Sequence, residues 1–470
     1  MMRHVRLIAV LLAPVLLAVI APRPAAAMTI DRVVSPGGIT IWLVQDHSIP
    51  AVDVEFTFRG AGAATEAKGK EGTANLLSDM LLEGAGDLDS QHFQGQVEDL
   101  SIELGFNAGF DSMEGSLKSL TENLDTAAGL LHDALTRPRF EASDLARVKT
   151  RIQTGLRRSR EEPRTIAGET FMATAFPGQP YGRPLRGSVE SVEALGADDL
   201  REFLRAHLGR DKLIVGAAGD ITPEAVARLV DRIFDGVPAQ SAAVTIGDTA
   251  PRNLGQTIVI ERPVPQSIVT FGEAGVKRND PDFYAATLVN YILGGGGFNS
   301  RLTTEVREKR GLAYSVFSYL APYDHFGLVM GGTATENARV AQSISVLRDV
   351  WKKMHDEGPS ERELANAKTY LTGSFPLQFD STTQIARLLV SIQYDDLGID
   401  YIDRRKDLIN RVTVADAKRV AQRLLDPAKL LMVVVGQPAG MTATPADKVN
   451  SGGSAPQPRS AAPVPTGRGG

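Results

Sequence analysis

The sequence contains no cysteine. That excludes disulfides, a thiolate metal site, a cysteine nucleophile and a lipid anchor on an N-terminal cysteine. It has no basic excess either: 51 Lys and Arg against 56 Asp and Glu leave a net charge of −5, the opposite of the footprint left by phosphate binding. Histidine is sparse, seven in all, and no two lie close enough for a local metal motif. There is no G-x-S-x-G elbow and no P-loop, and "GAGAAT" and "GGGGFN" both fail G-x-G-x-x-G. The chain therefore shows no complete catalytic set of its own. Beyond the N-terminus, no apolar run is long enough to span a bilayer.

What is present is ordinary for a globular protein, 43% hydrophobic and 23% charged. At 470 residues, two or more domains are expected. The N-terminus reads as a signal peptide over residues 1–27: basic "MMRHVR", apolar "LIAVLLAPVLLAVIA", then a small-residue cleavage site at Ala25, Ala26 and Ala27. Export to the periplasm is the expected address, with no stable membrane anchor after cleavage. From residue 439 to 470 the chain is low-complexity, and a disordered tail is expected there.

The remainder contains one unit twice. "DLREFLRAHLGRDKLIVGAAGD" (199–220) aligns with "DAKRVAQRLLDPAKLLMVVVGQ" (416–437), pairing Asp199 with Asp416, Lys212 with Lys429 and Gly219 with Gly436. "TEN" recurs at 121–123 and 335–337. Matches in the same order at nearly one offset indicate a domain duplication rather than a solenoid. Each copy opens on strands, continues through helices and closes on a β-rich apolar run. The expected fold class is therefore α+β: two homologous domains, 28–236 and 255–438, each with helices on a mostly antiparallel sheet. Between them, 237–254 is rich in small residues, Pro and Gly, and reads as a linker.

Two stretches carry chemistry. "KEGTANLLSDMLLEGAG" (70–86) places Leu76, Leu77, Met80 and Leu81 at helical spacing and leaves Asn75, Ser78 and Asp79 together on roughly one side. "LGGGGFNSRLTTEVREKRGLAYSVFSYL" (293–320) sets four glycines, Gly294 to Gly297, before a helix that Asn299 or Ser300 can cap. Arg307, Lys309 and Arg310 fall in that helix's last turn, Gly311 ends it, and "AYSVFSY" alternates as a strand. Taken alone, Arg307 is a helix-end cation and Tyr314 a strand aromatic.

Together these stretches resemble the pitrilysin/insulysin family, which includes the mitochondrial processing peptidases. Active members carry H-x-x-E-H on the first helix, with two zinc ligands and a general base. On this chain the motif falls on Asn75, Ser78 and Asp79, and the family's third ligand on Thr154 or Gly155, so ligands and base are all missing. The resemblance implies no cofactor in this chain and a zinc in a partner. It also implies that Arg307 and Tyr314 face the zinc across a closed chamber, with Tyr314 bonding the scissile carbonyl as it becomes an oxyanion. The glycine loop, with Phe298 and Asn299, would let a substrate backbone come close. In two-chain members, the zinc domain of one subunit faces the second domain of the other. The implied role is thus the non-catalytic subunit of a heterodimeric zinc metallopeptidase acting on peptides or unfolded protein. A scaffolding or peptide-binding envelope protein is the alternative.

Overall fold

The structure, a computed structural model, describes residues 28–242, 244–445, 448 and 449. The expected signal peptide and most of the expected tail lie outside the described residues.

The duplication is visible in the sheets. The first has six strands in the order Asp31–Val34, Thr40–Gln45, Leu213–Gly219, Ala51–Arg59, Ser112–Leu120, Glu103–Ala108. The second has five, in the order Thr257–Glu261, Leu431–Gly436, Gln266–Ala274, Gly327–Glu336, Ala313–Pro322. Each is antiparallel except for one parallel pair, 40–45 with 213–219 and 257–261 with 431–436. The aligned aspartates do the same local job. Asp199 accepts from Gly196 N and Asp416 from Thr413 N, each capping the helix that leads into the last strand of its half.

Helices cover one face of each sheet, as the apolar spacing of the sequence requires. In Pro223–Phe234 the Thr222 side chain caps the start and Pro223 occupies the first turn, while Val226, Leu229, Val230 and Ile233 are buried. The other face of each sheet is covered by a helix from the opposite half. Thr382–Tyr394 crosses the first sheet, where Ile385, Leu389 and Ile392 pack on Trp42, Val44 and Ala218. Pro163–Ala175 crosses the second, where Phe171 packs with Ile258, Leu431 and Val433. Each large aliphatic side chain so buried contributes about 1.5–3 kcal/mol. The close crossing needs a strand residue without a side chain: a Cβ on Gly216 would come within 2.6 Å of the Ala386 carbonyl.

This exchange also buries the polar face of Ala51–Arg59. Asp53, 1% exposed, accepts from Thr382 Oγ1 (2.5 Å) and Thr383 Oγ1 (2.6 Å), and Glu55 accepts from Arg387 Nε (3.0 Å). Burial pushes the Glu55 carboxyl up to about 7, against the pull of Arg387. Nearby, Tyr181 donates to Asp111, the Asp324 amide donates to the other oxygen of Asp111, and Tyr394 donates to Asp324. The connecting segment touches both halves: Ala242 N donates to the Ala206 carbonyl, and Thr249 N to that of His325.

Residues 439–445, assigned to the tail by composition, hold to the second sheet instead. Thr444 N donates to the Val259 carbonyl and Thr444 Oγ1 accepts from Val259 N, each at 2.9 Å. The reason is the open outer edge of Thr257–Glu261, whose backbone groups need partners.

Candidate functional site

The helix Thr73–Met80 starts where Glu66 receives it. The Glu66 carboxylate accepts from Gly72 N (3.0 Å) and Ala74 N (2.8 Å), and burial holds it up at about 7. Its inner side, Ala74, Leu76, Leu77 and Met80, is fully buried in the first core. The three motif positions do not all share the outer side. Ser78 is 4% exposed and donates to the Asn75 carbonyl (2.8 Å), a bond that keeps a buried hydroxyl satisfied. Asn75 Oδ1 accepts from Arg186 Nε (3.4 Å), and Asp79 pairs with Arg151 (3.3 Å).

Arg151 lies on Ala142–Ser159, the helix to which the third-ligand position maps. One turn further on, the Thr154 hydroxyl is returned to the Thr150 carbonyl (2.8 Å) and Gly155 has no side chain to offer. One turn earlier, Arg147 binds Glu83 (2.6 Å) and Asp144 (2.9 Å). A guanidinium thus stands beside each of these three carboxylates. Zinc does not fit here. The donors are one amide and one carboxylate already opposed by a cation, where the metal takes imidazole, thiolate and carboxylate ligands. Among the described residues, no group of three or more His, Cys, Asp or Glu could hold a metal ion. Arg151 and Arg186 were not anticipated from sequence. The available signal was Arg151 itself, a cation one turn before Thr154 on the same helix face.

In the second half, Ser300 rather than Asn299 caps the helix: its Oγ accepts from Thr303 N and meets the Thr303 hydroxyl at 3.0 Å. The helix is π-wound over Thr303–Glu308 and ends at Gly311, φ +58°, a geometry often found at functional sites. Glu305 collects two of the terminal cations, Lys309 at 2.7 Å and Arg310 at 2.6 Å, which hold its carboxyl below the usual range. Arg307 is left over. Its guanidinium carbon sits 4.7 Å from the centre of the Phe298 ring and 4.8 Å from that of Tyr314, contacts worth about 0.5–1 kcal/mol each at exposed sites. Tyr314 is 81% exposed and Phe298 65%. Among the described residues, neither the Arg307 side chain nor the Tyr314 hydroxyl makes a hydrogen bond or ion pair. An exposed phenol at the start of the end strand and a half-buried planar fork of N–H groups at the end of the helix are therefore held side by side.

The glycine run is not an open channel. A Cβ on Gly294 would lie 2.4 Å from Ser318 Oγ, and one on Gly296 2.8 Å from the Tyr291 carbonyl. These glycines let the π-helical turn Tyr291–Gly295 pack on the strand Ala313–Pro322. Only Gly297, at φ +58°, has free space around it. The 720 Å³ cavity between the two halves is lined by Glu55, Asn107, Asp111, Asp324, Arg387 and Tyr394, among others. Neither the degenerate motif nor the Arg307–Tyr314 pair lines it.

Comparison with known proteins agrees with this geometry. The family model described as insulinase (peptidase family M16) matches residues 41–189, and that described as the peptidase M16 inactive domain matches 194–371. An uncharacterized zinc protease of Streptomyces coelicolor is 27% identical over 86% of this chain and 89% of its own. A non-peptidase homolog from Helicobacter pylori is 25% identical over 84% and 90%. The crystal structure of a peptidase M16 inactive domain from Pseudomonas fluorescens superposes with a TM-score of 0.82 at 26% identity, covering 88% of this chain and all of that one. This chain, with its paired domains, belongs to the M16 (insulinase-like) family.

Proposed function

We propose that the chain is the non-catalytic subunit of an exported heterodimeric zinc metallopeptidase. A homologous partner carries H-x-x-E-H and its zinc, and this chain supplies half of the chamber together with Arg307 and Tyr314. The observation that carries the proposal is a contrast in hydrogen bonding. At the motif positions, Asn75, Ser78 and Asp79 are all engaged within the chain, whereas the Arg307 side chain and the Tyr314 hydroxyl make no hydrogen bond or ion pair among the described residues, Arg307 lying against the Phe298 and Tyr314 rings. An arginine present only for its helix would pair with an acid, as Lys309 and Arg310 do.

In this reading Tyr314 donates its phenolic proton to the scissile carbonyl as negative charge develops there, and Arg307 fixes the neighbouring backbone. The periplasm is the expected address. The names of relatives support a division of labour, since they include zinc proteases as well as a non-peptidase homolog.

The test is a pull-down of the tagged chain from periplasmic extract, assayed for zinc and for chelator-sensitive peptidase activity. The complex containing Tyr314→Phe should cleave about 10²–10³-fold more slowly in kcat. An unchanged rate would leave a scaffolding role in its place.

A further inference from the structure

We propose that the Phe298–Arg307–Tyr314 stack is a carboxylate-reading clamp: it recognises an acid group on an extended peptide rather than peptide backbone alone. Three features of the surface lead there. The first is uncompensated charge. Of the three cations in the helix end, Lys309 and Arg310 are both taken by Glu305, and the adjacent Glu308 makes no ion pair with Arg307 among the described residues. Arg307 is thus the one left with a full charge for an outside partner.

The second feature is orientation. Aromatic rings lie against the guanidinium 4.7 and 4.8 Å from its carbon. Contacts of this kind occupy the planar faces and leave the edges, which carry the N–H groups, for solvent or a ligand. Two parallel N–H groups on one edge match the two oxygens of a carboxylate better than the single oxygen of a peptide carbonyl.

The third is the neighbouring backbone. Ala313–Pro322 is the end strand of its sheet, but its Val316 and Ser318 carbonyls already accept from Thr303 Oγ1 and Asn290 Nδ2, so a peptide is held beside the exposed Tyr314 end of the strand rather than along its length. Phe317 and Tyr319, stacked 6.2 Å apart and partly exposed on the same strand, add apolar surface for side chains of that peptide. Phe298 is the positioning residue of the clamp. Its ring lies against Arg307 and limits where the guanidinium can move.

Two sources of the carboxylate share this chemistry. One is an Asp or Glu side chain. The other is a free peptide C-terminus, including the one created by cleavage. When water adds to the scissile carbonyl carbon and the C–N bond breaks, the amine leaves with a proton and the carbonyl becomes a carboxylate beside Tyr314. This second source rests on the function proposed above, whereas the clamp itself does not.

The experiment uses the full chain alone, without partner or zinc, and measures fluorescence polarisation. The probe is a fluorescein-tagged Ala/Ser decapeptide in three forms: free acid, C-terminal amide, and amide with one internal Glu. The free acid should bind about ten- to a hundredfold tighter than the plain amide, as expected for a charge-assisted pair replacing a neutral one. Arg307→Gln should erase the difference, Arg307→Lys should restore part of it, and Phe298→Ala should shrink it. Unchanged thermal melting curves verify that each variant is folded. If the internal Glu form matches the free acid, side-chain acids are the source; if it matches the plain amide, the free C-terminus is. Equal binding of free acid, amide and Glu forms, or no binding of any, overturns the clamp. The proposed peptidase role would fail separately, through a partner complex whose cleavage rate ignores Tyr314→Phe.

Discussion

The two halves of this molecule share a fold and differ in what they leave unspent. In the first, the helix that would carry a metal is closed on itself. Asp79 answers Arg151, Asn75 answers Arg186, and Ser78 is turned inward to the Asn75 carbonyl. In the second, the corresponding investment lies at the surface, an arginine and a tyrosine with no acceptor among the described residues. Duplication produced two copies of the scaffold, yet of these two stretches only the second leaves side-chain donors without a hydrogen-bond partner among the described residues. Packing does not depend on such chemistry: Leu76, Leu77 and Met80 are fully buried although Asn75, Ser78 and Asp79 on the same helix offer no zinc-binding set.

That comparison can be broken most severely at the exchanged helices, where each half depends on the other. Phe171→Ala should destabilise the chain by about 3–5 kcal/mol, since it empties a fully buried site between a helix of one half and the sheet of the other. Urea unfolding should show the loss, and an accompanying second transition would mean that the halves have come apart. Next comes Tyr314→Phe, with the fall of about 10²–10³ in kcat for the partner complex. Asp79→Ala in the same complex should leave the rate within about twofold, because the group lost serves only Arg151.

A loss of stability smaller than that of Phe171→Ala is expected at Asp53. Replacing it with Ala removes the acceptor for Thr382 and Thr383 and should lower stability by about 1–3 kcal/mol, read from the same unfolding curves.

Smaller again is a pH effect that separates two kinds of carboxyl. Burial beside Trp351 pushes Glu273 up to about 8, and Glu66 reaches about 7 for the same reason. Such acids bind more protons in the folded chain than in the unfolded one. Their contribution is therefore full below the ordinary value of 4.5 and disappears as pH rises through about 7 to 8. Glu363, held at about 2 by Arg301 and Ser360 despite burial, acts in the opposite direction; its contribution is present above 4.5 and lost as pH falls towards 2. Melting temperature should accordingly be higher at about pH 5.5 than at about pH 8.5. Glu273→Gln should narrow that gap.

Much of this architecture was legible in the sequence because it is local or repeated. The offset of 199–220 against 416–437 exposes the duplication, and the caps at Asp199 and Asp416 show why the aspartates recur. The motif positions Asn75, Ser78 and Asp79 fall on a helix, and Arg307 and Tyr314 meet, because spacing within a helix or helix–strand unit determines such contacts.

The exchange of helices was not legible. Nothing near Leu389 says that it will rest on Trp42, since the partners lie hundreds of residues apart and burial on both sheet faces leaves no local periodicity to read. The same holds for Arg151. Its ion pair with Asp79 depends on how two helices cross, and a basic residue on an amphipathic helix is ordinarily solvent-facing. The glycine run misled for a related reason. Gly294 and Gly296 are small to fit Ser318 and Tyr291, a constraint imposed by neighbours rather than by a ligand.

The most direct test of the central contrast is the zinc content of the isolated full-length chain after dialysis against metal-free buffer, measured by mass spectrometry alongside titration with zinc. A first half whose motif is occupied by arginine pairs should retain no stoichiometric zinc and show no saturable tight site. One zinc per chain, retained through dialysis and lost in Asp79→Ala, would contradict the account.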